Sequence, residues 1–232
     1  MSTLLRRDIE RLKKKILVLS SLVEEQLRGA FAVVISHDPA GAARVVEGDF
    51  AIDLMEVEVE EDCLKALALY QPVAGDLRFI VAAIKINTTL ERVGDLAVNV
   101  AEHAARVGDP LRPVLGFDLQ GLIDKSQTMF SQALDSLMKE DALLARHVVA
   151  SDDEVDSLDE DLNSQIRAAM HEHPEWLGGL ISLLYISRYI ERLADHATNI
   201  AEDVVYMIEG EIPRHHAKRQ AAEAMGLSDI GA

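Results

Sequence analysis

Glu91-Arg-Val-Gly-Asp-Leu-Ala-Val-Asn-Val-Ala-Glu102 returns one hundred residues later as Glu191-Arg-Leu-Ala-Asp-His-Ala-Thr-Asn-Ile-Ala-Glu202, with seven of twelve positions identical. Self-similarity at a fixed offset marks a duplicated supersecondary unit and takes precedence over any local reading. A second pair of segments agrees. Residues 38–53 align with 141–156 at an offset of 103, and Asp38, Ala42, Val45, Val46, Asp49 and Asp53 are matched. The chain is therefore two copies of one unit.

Each unit reads as helical. Leu5, Ile9, Leu12, Ile16 and Leu19 follow the three-and-four spacing of a helix face, and no stretch alternates for long in the strand manner. The six prolines, at 39, 72, 110, 113, 174 and 213, leave long uninterrupted stretches between them. This punctuation predicts six helices, at about 4–36, 40–70, 75–108, 116–139, 142–171 and 176–209. Connectors as short as Gln71-Pro72 and His173-Pro174 set consecutive helices antiparallel. The fold class expected is all-α, two tandem, internally duplicated three-helix bundles. The first repeat occupies residues 1–110, the second 114–212, and a flexible C-terminal tail 213–232. Only 4% of the residues are aromatic, and a core of Ala, Leu, Val and Ile suits helix on helix packing.

Charge narrows the function. Forty Asp and Glu against twenty-three Lys and Arg give a formal charge of −17, which repels nucleic acid phosphates. Met1 to Lys15 lack the apolar core of a signal peptide, and no later run resembles a membrane span, so the expected location is cytoplasmic. Cys63, alone, lies among helical-period apolar residues and reads as a small core residue.

The acids are patterned. At about 100° per residue, Glu91, Asp95, Asn99 and Glu102 fall along one narrow stripe, and Glu191, Asp195, Asn199 and Glu202 repeat it. On the preceding helix Asp49, Asp53, Glu56 and Glu60 share a face, as do Asp152, Asp156, Asp159 and Asn163 in the second repeat. Like charges one turn apart destabilise a helix by a few tenths of a kcal/mol, about 0.2–0.5 per pair, so stacked pairs need compensation. No Lys or Arg lies between Arg44 and Lys65, or between Arg146 and Arg167. If helices two and three pack antiparallel, their stripes meet along a seam, and an oxygen-only donor set suits Mg²⁺, Ca²⁺, Mn²⁺ or carboxylate-bridged iron. Such a reading makes Glu91, Asp95, Glu191, Asp195, Asp49, Asp53, Asp152, Asp156, Glu102 and Glu202 candidate metal ligands. A solvated acidic face is the plainer alternative, against which stands the repetition of the same spacing in both halves.

Enzymatic motifs are missing. There is no phosphate-binding glycine loop, no His-Glu-x-x-His and no nucleophile elbow, and no histidine has the Glu three residues before it that a diiron bundle requires. The chain is not expected to be an enzyme. Arg92 and Arg192 read as partners for carboxylates on adjacent helices, and His196 as a polar or interface residue.

Gln71-Pro-Val-Ala-Gly-Asp-Leu-Arg78, the Glu91 to Asn99 segment and the Glu191 to Glu202 segment together resemble the signature segments of the PhoU family, over residues from about 5 to 210. The resemblance implies metal ions as cofactors, multinuclear iron among them, with zinc, manganese and magnesium as other fits, held at Glu91, Asp95, Glu191 and Asp195 with helix-two aspartates as co-ligands. It implies a negative regulator of phosphate uptake and of the phosphate-starvation response, an adaptor between the phosphate ABC transporter ATPase and a sensor histidine kinase. Membrane association would then come only through partners, and a homodimer is consistent with the pattern. From other classes, a metal-dependent or metal-storing helical bundle and a metal-free scaffold compete with this reading. In the second repeat His171-Glu-His-Pro-Glu-Trp176 replaces Gln71 to Arg78 and Asn163 replaces Glu60, so neither the partner faces nor the metal sites need be equal.

Overall fold

Caps and breakers decide where each helix starts. In the computed structural model, which describes residues 3–36, 38–107 and 119–210, the Asp38 carboxylate accepts a hydrogen bond from the Ala40 amide at 3.0 Å, with Pro39 opening the helix behind it. Its repeat partner Asp141 caps the Leu143 and Leu144 amides at 3.0 Å. Helices α1 (Thr3–Ser36), α2 (Pro39–Tyr70) and α3 (Ala74–Ala104) form the first bundle. The second contains α4 (Leu119–Lys139), α5 (Ala142–Ala150), α6 (Asp152–Glu172), a single 3₁₀ turn (Pro174–Trp176) and α7 (Leu177–Glu209). No strand occurs among the described residues, and no described helix is long and apolar enough to cross a membrane.

One expected helix is broken. The single helix read over 142–171 is interrupted at Ser151, whose hydroxyl donates to the His147 carbonyl at 3.0 Å while its amide bonds Val148 rather than His147. A serine hydroxyl competing for a backbone carbonyl tightens the turn, and Asp152, Asp153 and Glu154 favour a new positive helix N-terminus just after it. Gly48 holds the aligned position in α2, where the helix continues. The third helix ends at Ala104 and closes in a turn rather than reaching 108. Residues 213–232, expected as a tail, lie outside the described residues, as do 116–118 at the start of the fourth expected helix.

The bundles share one core. Among the described helices the most extensive pair is α3 against α7, one from each repeat. They run antiparallel: Arg78 Nε donates to the Met207 carbonyl at 3.2 Å, Lys85 Nζ meets Asp203 at 2.9 Å, and the His103 ring lies 4.7 Å from Tyr185. Alanines such as Ala97, Ala101, Ala197 and Ala201 are fully buried and let these central helices pack closely. Cys63 is fully buried on the inner face of α2, and burial pushes its thiol up to about 12, so it stays a protonated core side chain.

Candidate functional site

Helix α2 returns as α3 through Gln71-Pro72-Val73, with Gln71 in the left-handed conformation (φ 47°) that ends α2. This tight reversal lays the acid stripe of α2 beside that of α3. The two backbones approach closely at Gly94, where an added Cβ would stand 3.2 Å from both Asp49 Oδ1 and Ile52 Cδ1. Asn87 ties the helices lower down, donating to the Glu56 carbonyl at 2.9 Å.

The first seam is a row of carboxylates that repel one another. Burial, then the charges of Asp53 and Asp95, raise Asp49 above the ordinary carboxylate range, against an opposing hydrogen bond from Gln26 Nε2 at 2.8 Å. Glu91 is raised by burial and by Asp95, Asp53 and Glu56, with Arg92 pulling the other way. Asp95 is raised by burial and Asp53, and Glu56 by burial, Glu60 and Asp53. Partial desolvation and like charges act together here, and both disfavour the ionised form.

The second seam repeats the design. Burial raises Asp152, followed by Asp156 and Asp195, with the nearby Thr198 hydroxyl, buried and without a hydrogen-bond partner by geometry, pulling the other way. Glu191 is raised by burial and Asp195, and Asp195 by burial and Asp156. Glu191 Oε2 is buried and accepts no hydrogen bond; the guanidinium of Arg188, 3.9 Å away, is a long ionic neighbour. Asp159 differs from its counterpart Glu56. It is buried, and its two oxygens accept from Ser187 Oγ and, at 2.7 Å, from Asn163 Nδ2.

Eight of the ten expected ligands thus line two seams: Asp49, Asp53, Glu91 and Asp95 in one, Asp152, Asp156, Glu191 and Asp195 in the other. Glu102 and Glu202 stand seven residues beyond Asp95 and Asp195, about 10 Å along the helix axis, and Glu102 pairs with Arg106 at 3.4 Å. Arg92 and Arg192 depart from expectation. Both are exposed and make no ion pair with a carboxylate among the described residues; their charges act on Glu91 and Asp195 beside them and on His196 between them. Spacing explains this, because each arginine projects from its helix about 100° away from the glutamate before it, toward the α3–α7 junction. His196 sits half-buried at that junction, pushed down to about 4 by burial and then by Arg192 and Arg92, and is neutral.

Gln26, Ser187 and Thr198 were not among the expected site residues. Gln26 carried a signal: it is polar at a position of the apolar series Leu19, Val23 and Ala30 on α1, and a polar residue there needs a buried partner.

The donor chemistry fits a hard or borderline cation: oxygen ligands, uncompensated charge and an orphaned buried oxygen on Glu191. Among the described residues, no three His, Cys, Asp or Glu side chains meet closely enough to hold one ion between them. Binding at either seam would therefore require carboxylates to rotate toward one another.

The PhoU domain family matches residues 16–104 and 119–204, one copy per repeat. A phosphate-specific transport system accessory protein PhoU homolog of Aquifex aeolicus is 36% identical over 219 residues, covering 94% of this chain and 98% of that protein. The crystal structure of PhoU from Pseudomonas aeruginosa superposes with a TM-score of 0.85 at 32% identity, over 89% of this chain and 99% of that one. The phosphate transport system regulatory protein PhoU from Streptococcus pneumoniae gives a TM-score of 0.80 at 26% identity, over 90% and 98%. Matched twice by one family model and along nearly its whole length by these relatives, the chain belongs to the PhoU family.

Proposed function

We propose that this protein is an accessory regulator of phosphate-specific transport, a negative regulator of phosphate uptake and of the phosphate-starvation response. The observation that carries the reading is the full-length correspondence with proteins named as accessory to that transport system. A helical surface with no nucleophile or phosphate loop regulates by binding, favouring one state of a partner through contacts which that state alone provides. The partners in this reading are the ATPase of the phosphate ABC transporter and a membrane sensor histidine kinase, bridged by the paired bundles.

The two seams hold metal ions in the same reading. Asp49, Asp53, Glu91 and Asp95 would bind at the first, and Asp152, Asp156, Glu191 and Asp195 at the second. A bound cation supplies positive charge that relieves the repulsion between carboxylates and ties α2 to α3, or α6 to α7. Without one, Asp49, Glu91, Asp95, Asp152, Glu191 and Asp195, held above the ordinary carboxylate range, take up protons earlier than free carboxylates as the pH falls. The lack of a preformed three-ligand cluster among the described residues favours one second reading, a metal-free scaffold whose acidic seams dock basic segments of partners.

The test is complementation. In a bacterium deleted for its own PhoU protein, expression of this chain should restore repression of a phosphate-starvation reporter in phosphate-rich medium. A reporter that stays fully induced, with the chain expressed, folded and co-purifying with neither partner, would refute the adaptor role.

A further inference from the structure

The outward side of α2 carries an apolar stripe that the fold does not use. Val46, Phe50, Leu54, Val57 and Leu64 are 42, 68, 52, 51 and 54% exposed. They fall within about 80° of one another on the helix and span about 27 Å of its length, opposite the buried row of Val45, Ile52, Val59 and Cys63. The second repeat provides an internal control. At the same offset of 103 the aligned residues are Val149, Asp153, Ser157, Glu160 and Arg167, four of them polar. A bundle of this design needs no apolar residues there, and a contiguous exposed apolar face marks an interaction site.

Charge beside the stripe selects the occupant. Asp53 and Glu60 border one edge, and Glu47, Glu58 and Glu61 the other; Glu58 and Glu61 pair with Lys15 and Lys65, and the rest of this border has no ion-pair partner among the described residues. We propose that this face docks an amphipathic helix of a partner protein, its apolar side on Phe50 and Leu54 and its flanks carrying Lys or Arg. A second copy of α2 would set acid against acid across the contact, and an anionic membrane surface would be repelled in the same way. Helix-on-helix docking with apolar anchors at three- and four-residue spacing is a common recognition mode and matches the five turns available. The inference rests on the adaptor reading only in requiring a protein partner; a binding assay with purified components stands or falls separately from the reporter experiment.

The probe is a fluorescein-labelled eighteen-residue amphipathic helix of Leu and Lys, with a Leu and Glu helix of equal length as its control, titrated with the full chain and read by anisotropy. The Leu/Lys helix should bind and the Leu/Glu helix should not. Phe50→Gln/Leu54→Gln should weaken binding about tenfold or more, since few central anchors dominate such contacts. Glu47→Gln/Glu61→Gln, outside the carboxylate seams, should weaken it several-fold at low salt, about threefold or more, with the difference shrinking as salt rises. The aligned Ser157→Gln should leave affinity unchanged. All four altered α2 positions are exposed, so helicity and melting temperature verify folding in each variant. Equal binding by the Phe50/Leu54 variant would overturn the proposal. So would a dimer that dissociates in that variant, which assigns the face to a second copy, or affinity that rises on removal of residues 213–232, which assigns it to the chain's own C-terminal segment.

Discussion

The two repeats share caps, seam and burial pattern, yet differ in what their second helices do with charge. Asp49, Glu56, Glu91 and Asp95 are all held above the ordinary carboxylate range in the first repeat, with Gln26 the donor to Asp49. In the second, Asp159 stands where Glu56 does and is already satisfied by Ser187 and Asn163. Gly94 brings α2 and α3 together at the first seam, whereas Ala194 occupies that place in the second. The lesson is that duplication preserved the carboxylates and their spacing while the residues supporting them diverged. The first seam retains more unrelieved charge; the second has converted part of its charge into a fixed hydrogen-bond network.

The largest effect should come from beneath the seams. Ile52→Ala removes a side chain only 1% exposed and should cost about 2–5 kcal/mol in chemical denaturation, whereas Val155→Ala at the aligned position removes fewer atoms and should cost less. A reversed order would show that the two bundles are not packed alike. Next, Ser187→Ala leaves a buried carboxylate oxygen of Asp159 without its donor and should cost about 1–3 kcal/mol. If the variant melts as the unaltered protein does, Asp159 is not fixed in the way that distinguishes the second seam.

The contribution of the seams to the pH dependence should be smaller and of unusual sign. A carboxylate raised in the folded state takes up protons at higher pH than it does unfolded, so stability falls as pH rises through the raised value and recovers as the group protonates on acidification. Seven seam groups contribute in this sense, in the window upward from the ordinary values of 3.8 and 4.5. Asp62 and Glu154, lowered by hydrogen bonds from Lys15 and Lys125, act oppositely and only below those ordinary values. His196, pushed down to about 4, and His103, also lowered, cost stability as the pH falls below the ordinary imidazole value of 6.5. In chelator, the seam contribution is therefore the part of the melting-temperature slope that seam substitutions remove as the pH is brought down toward the ordinary carboxylate values. Glu91→Gln/Asp95→Asn should make acidification more destabilising than Glu191→Gln/Asp195→Asn does, because four raised groups interact in the first seam and three in the second. Identical slopes in all three proteins would remove the electrostatic distinction between the repeats.

Much of this was legible in the sequence, for physical reasons. Helical period and the 100-residue echo of Glu91 to Glu102 are properties of the chain itself, and a stripe of like charges on two antiparallel neighbours can meet only along their seam. What escaped depended on single atoms in three dimensions. The break at Ser151 turns on a hydroxyl competing for one carbonyl, and nothing in the periodicity of 142–171 distinguishes it from a passing serine. Arg92 and Arg192 sit next to acids in sequence, yet the helical turn points them at the α3–α7 junction, whose geometry needs both repeats assembled. Gln26 reaches its aspartate from a third helix, and only its polarity at an apolar position hinted at that.

Metal content of the purified protein tests the central claim most directly, measured by elemental analysis after reconstitution with iron, manganese or zinc and removal of free ion. The account predicts bound metal in the unaltered protein, a partial loss in Glu91→Gln/Asp95→Asn, a separate partial loss in Glu191→Gln/Asp195→Asn, and none when the four changes are combined. Metal absent from the unaltered protein, or retained in full by the fourfold variant, would contradict it.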